Sequence, residues 1–137
     1  MVGDLRALSS AHDLGNWVRK ELASERPDAK HALRVIARET DRWFTHGLSP
    51  HDIAGLASEP ARTGDVRWDA LIEGVVAYRL HLAGMAAPPW CLTTRLDEGW
   101  DPYDTPSIGW RLLDMFETPA ELLHKGVTLS HRSMELL

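Results

Sequence analysis

The stretch Asp65–Ala83, DVRWDALIEGVVAYRLHLA, decides the fold class. Trp68, Leu71, Ile72, Val75, Tyr78 and Leu82 recur at the three- and four-residue intervals that gather side chains on one side of a helix, and Gly84 follows where a left-handed residue ends one. This spacing predicts the central helix of the molecule. The same period holds in both directions from it, and no stretch longer than about five residues alternates cleanly between apolar and polar. The expectation is an all-α bundle of about five to seven helices, read as a single helical domain over residues 1–137.

Upstream, a helix is expected from about Ala11 to Ala23, with Ser10 as its N-cap, Asp13 at the third helical position and Gly15 as a weak point. A second opens near Pro27 or Asp28, carries Leu33, Ile36, Trp43 and Phe44 inward and ends at Gly47. Ser49-Pro50-His51-Asp52 starts a short third helix that stops before Pro60. The connection Ser58–Gly64 offers the one plausible boundary. Downstream, Pro88-Pro89-Trp90 opens a loop-rich segment, residues 85–104, with room for a short helical turn. Helix resumes at Thr105-Pro106 and carries Ile108, Leu112, Leu113 and Phe116. Thr118-Pro119-Ala120-Glu121 reads as a capping box closed by Gly126, Val127-Thr128-Leu129 as a brief extended segment, and Ser130 as the cap of a last helix.

Composition narrows the function classes. With 137 residues, 44% hydrophobic and 26% charged, the chain is far from a disordered composition. About two thirds of its unfolded surface is expected to be buried on folding. The single cysteine, Cys91, excludes an internal disulfide and a Cys-based zinc site, so a cytoplasmic location is expected. No segment has a basic stretch followed by an apolar run, or the ~18 apolar residues of a membrane span, so no membrane partner is expected. The net charge of −5 is uneven: residues 1–96 carry 12 basic and 12 acidic side chains, residues 97–137 carry 3 and 8. Asp97, Glu98, Asp101 and Asp104 crowd together with no Lys or Arg between Arg95 and Arg111, a surface that repels a phosphate backbone and suits a basic protein partner.

Catalytic chemistry has little support in the spacing. The seven histidines show no i, i+4 pair and no HExxH; His51 beside Asp52, and His81 with Glu73, are the pairs most able to meet in three dimensions. Asp65, Asp69 and Glu73 form an acidic ridge at i, i+4 and i+8 that could hold a hard cation. The same acids also suit the first turns of a helix and local pairing with Arg62 or Arg67. Cys91 reads as a small buried thiol, and no GxSxG, P-loop or GxGxxG is present. A helix-turn-helix over Ala29–Ala57 would present His51, Asp52, Ser58 and Glu59 to DNA, with no Arg, Lys, Gln or Asn to read base edges. No catalytic residue, metal ligand or cofactor is therefore assigned. Of six tryptophans, Trp17, Trp43 and Trp68 lie on apolar stripes, while Trp90, Trp100 and Trp110 lie in or beside the acidic region. The expected partner-binding residues are Asp97, Glu98, Trp100, Asp101, Tyr103, Asp104 and Trp110, the acids steering and the aromatics anchoring.

The run Arg62–Gly74, RTGDVRWDALIEG, together with Gly84, Pro89-Trp90 and Thr118-Pro119 through Gly126-Val127, resembles small actinobacterial antitoxin-like proteins with an RTGDxRWDALxxG core. These are often encoded beside nucleotidyltransferase-like toxins or appended to helix-turn-helix regulators. The resemblance covers roughly residues 30–137. It implies a toxin-neutralising partner role with no catalytic residues, and a cognate protein toxin, nucleotidyltransferase-like in the group, as the partner. A homodimer is compatible with it. Relatives carry an aromatic cluster where this chain has Leu96–Tyr103, a departure that bears on the partner more than on the fold. The competing readings are a metal-dependent enzyme built on the Asp65/Asp69/Glu73 ridge and a small DNA-binding regulator.

Overall fold

Helix after helix starts where a side chain can satisfy the first free backbone N–H groups. In the computed structural model, which describes residues 8–105 and 107–137, α1 (Ala11–Leu22) is capped by Ser10, whose hydroxyl accepts from Asp13 N while Asp13 accepts from Ser10 N. Asp28 caps α2 (Ala29–Arg42), Ser49 caps α3 (Pro50–Leu56) with proline in the first turn, and Asp65 caps α4 (Val66–Leu82). A 3-10 turn, Pro89–Leu92, interrupts the loop-rich segment. Ser107 caps α5 (Ile108–Glu117), α6 spans Ala120–Leu123, and Ser130 caps α7 (His131–Leu136). The described residues are all-helical, apart from a single parallel bridge between Trp100 and Val127. The extended segment expected at Val127-Thr128-Leu129 thus has a partner, Trp100, that the sequence did not indicate. Helix was expected from Thr105-Pro106, but Thr105 is not helical and α5 begins at Ile108 behind the Ser107 cap; Pro106 and residues 1–7 lie outside the described residues. No helix among the described residues is long and apolar enough to cross a membrane.

The Thr118–Glu121 capping box does not form. Pro119 is the N-cap of α6 and makes no side-chain bond. Both box residues have other partners: Thr118 Oγ1 donates to Asp114 O at 2.6 Å and accepts from Leu129 N at 3.0 Å, and Glu121 is engaged by His81.

α4 lies at the centre, packed against α1, α2, α6 and the 3-10 turn, while α1 meets α2 and α2 meets α7. Every residue from Ala70 to Ala77 is buried, so the middle of this helix is enclosed on all sides. One core runs from Ala11 and Leu14 through Ile36, Trp43 and Leu71 to Leu122 and Met134, and so includes residues from both sides of the Ser58–Gly64 connection. Close approach explains two helical glycines. A Cβ on Gly15 would collide with the carbonyl oxygen of Ala61, and one on Gly74 would stand 2.5 Å from Leu122 Cδ2. The glycine that looked like a weakness in α1 lets the 58–64 connection lie directly on that helix. Two indoles bond backbone carbonyls: the buried Trp43 donates to Ser9 O at 2.7 Å and the half-buried Trp90 to Ala57 O at 3.1 Å.

Candidate interaction site

The acidic ridge of α4 is divided among three separate tasks. Asp65 caps the helix and pairs with Arg67 at 3.2 Å. Asp69 accepts from Thr63 N and Thr63 Oγ1 at 2.9 and 3.0 Å. Glu73, 1% exposed, accepts from Lys125 Nζ at 2.8 Å, Thr94 N at 2.9 Å, Thr94 Oγ1 at 2.5 Å and Thr93 Oγ1 at 2.9 Å, with Arg62 at 3.4 Å. Burial pushes the Glu73 carboxyl up, yet the hydrogen bonds from Lys125 and Thr94 and the charge of Lys125 outweigh it and hold the group below its ordinary value. His81 meets Glu121 at 2.6 Å rather than Glu73. Among the described residues no three His, Cys, Asp or Glu side chains converge as a metal would require. Cys91 is fully buried and its thiol is pushed up to about 12, chiefly by that burial, which makes it a poor nucleophile.

The residues expected to bind a partner divide into two groups. Trp100 is half-buried: its ring stands edge-on to Trp68 at 5.3 Å, Arg67 lies over it at 5.1 Å, and its backbone bonds Gly126 O and Thr128 N. Asp101 accepts from Tyr103 N and Thr105 N, which sets the turn. Tyr103 packs against the core, and burial raises its hydroxyl. These three shape the loop. Asp97, Glu98, Asp104 and Trp110 face solvent. Asp104 holds a left-handed φ of 50°, which aspartate tolerates better than most residues, and its carboxylate is 3.7 Å from Arg111. A cavity of about 340 Å³ between this loop and α5 brings Trp100, Asp101 and Asp104 together with Arg111 and Met115; Asp97, Glu98, Tyr103 and Trp110 lie outside it.

α5 is the unusual element. None of its residues is buried, and it takes part in none of the principal helix packings. Ile108, Leu112, Met115 and Phe116, at i, i+4, i+7 and i+8, form one apolar stripe, and all are exposed, Phe116 by 88% and Ile108 by 77%. Trp110 and Leu113 extend the apolar surface beyond the stripe. The only half-buried residues of α5 are its two acids, Asp114 and Glu117. Glu117 pairs with Arg132 at 3.3 Å, and Arg111 Nε donates to Thr105 O. Burial and the nearby charge of Asp101 raise the Asp114 carboxyl. The helix thus sits inverted, acids toward the body and hydrocarbon toward solvent. Of this surface only Trp110 was among the residues expected to bind. A usable signal was present in the sequence: α5 has more apolar positions than one core-facing stripe can absorb.

Searches of protein-family models, of curated proteins and of solved structures found no match to this chain.

Proposed function

We propose that this chain is a protein-interaction module of antitoxin-like character, in which α5 is inserted into an apolar groove of a cognate protein toxin. The observation that carries the reading is the inversion of α5: a stripe of Ile108, Leu112, Met115 and Phe116 left in water beside acids turned inward. Contiguous exposed apolar surface of this kind marks interaction sites. Asp97, Glu98 and Asp104 stand exposed in the loop that precedes this helix, so the fitting partner has a basic rim around its groove. The resemblance of residues 62–74 to antitoxin-like proteins supports the toxin as the partner class, and blocking the toxin's substrate or phosphate site is the mechanism of neutralisation. The role is non-enzymatic and belongs in the cytoplasm.

The test is capture of partners by tagged full-length chain from its native host at low and moderate salt, beside an Ile108→Ser/Leu112→Ser/Phe116→Ser variant. A stoichiometric basic protein that is held by the native chain, weakened by salt and lost by the variant is the expected result. Recovery of the native chain alone, or equal capture by the variant, overturns the reading.

A further inference from the structure

A cavity of about 510 Å³ lies where α4, the 3-10 turn and α6 meet, within the range of roughly 300–1,000 Å³ usual for small-molecule sites. Ala77, Ala86, Ala87, Cys91 and Leu92 give it an apolar lining. Its charged groups fall into two classes. Lys125 Nζ is committed to Glu73 and Thr94 O, and Glu121, the one carboxylate in the lining, is held by His81 Nδ1 at 2.6 Å. Arg95 and His124 line the same cavity, are exposed, and have no side-chain hydrogen bond or ion pair among the described residues. A guanidinium with its donors unspent beside a hydrocarbon-lined hollow matches a carboxylate on an apolar body, because its planar fork bonds both carboxylate oxygens at once.

We propose that this cavity binds a small monocarboxylate, with the hydrocarbon on Ala77, Ala86, Ala87 and Cys91, the carboxylate on Arg95, and His124 as a second donor. A neutral amide of the same shape offers Arg95 one uncharged acceptor oxygen in place of two charged ones, and a cation meets Arg95 as a like charge. The high thiol value of Cys91 keeps that wall neutral, so binding is non-covalent. The site contains no residue of α5 and stands independently of the interaction reading.

The experiment is thermal melting and titration calorimetry of the full chain with octanoate, and with octanamide as the neutral isostere. Octanoate is expected to raise the melting temperature by mass action and octanamide, at equal concentration, to raise it far less. Arg95→Ala, at an exposed position, should retain the native circular dichroism and weaken octanoate binding about tenfold or more, the loss of a charge-assisted hydrogen-bond pair. Ala86→Trp should fill the hollow and abolish binding. No response to octanoate, an equal response to octanamide, unchanged affinity in Arg95→Ala, or full binding in a folded Ala86→Trp each overturns the proposal.

Discussion

α4 and α5 are both rich in apolar residues, and the protein uses them in opposite ways. α4 is enclosed from Ala70 to Ala77 and carries a carboxylate, Glu73, through the middle of the core. α5 leaves Ile108, Leu112, Met115 and Phe116 in water and turns Asp114 and Glu117 inward. Hydrophobicity alone does not sort them. What separates them is where their charges find partners: Glu73 has Lys125 and Thr94 deep inside, whereas Glu117 finds Arg132 near the surface and so fixes the other side of its helix outward.

The largest effect should come from breaking the charge inside α4's environment. Lys125→Met leaves Glu73 buried without its buried cation, with only the exposed Arg62 at 3.4 Å, and should cost about 3–5 kcal/mol in urea unfolding, while Glu73→Met/Lys125→Met should recover most of it. A Lys125→Met loss no larger than a surface substitution would remove the contrast between the two helices. Acid probes the same pair. Because the folded Glu73 value is depressed, its contribution is complete above the unfolded value near 4.5 and is lost as pH falls through the lower folded value. Native protein should therefore lose stability faster on acidification in that window than Glu73→Gln, which has no charge to neutralise.

Next in size is packing. Gly74→Ala forces Leu122 aside and should cost about 1–3 kcal/mol, read as a lowered denaturation midpoint. On α5 the expectation reverses: Ile108→Ser, Leu112→Ser and Phe116→Ser should each change stability by no more than about 0.5 kcal/mol while abolishing partner capture. A large loss of stability in those variants would mean that the stripe is core. The smallest effect belongs to Asp114→Asn. The raised Asp114 value means that its ionised form opposes docking of α5, so the neutral variant should melt at the same or a slightly higher temperature near neutral pH.

Most of the fold was legible from local rules. Ser10, Ser49 and Ser130 announced three helix starts as caps, because a capping side chain acts within three residues and needs no tertiary knowledge, and the starts expected near Pro27 or Asp28 and at Asp65 are capped by those two aspartates. The failure at Thr118–Glu121 is instructive, since both residues had better partners far away in sequence, Leu129 and His81. The site was harder to read. Composition identified an acidic, aromatic region, but whether Trp100 anchors a partner or the fold depends on Trp68, Arg67 and Gly126, which arrive from other elements. The spacing placed Ile108, Leu112 and Phe116 on a helix; which way that helix turns depends on Arg132 and Thr105.

Lys125 also bears on the entropy of recognition. While its ammonium holds Glu73, its carbonyl accepts Leu96 N at 2.9 Å, and the next residues continue the clamp through Trp100 N to Gly126 O at 2.8 Å and Thr128 N to Trp100 O at 2.9 Å. The backbone around Asp97 and Glu98 is thereby fastened at both ends to a segment anchored in the core. A partner meeting these acids orders little new chain, so the conformational cost of association is met during folding.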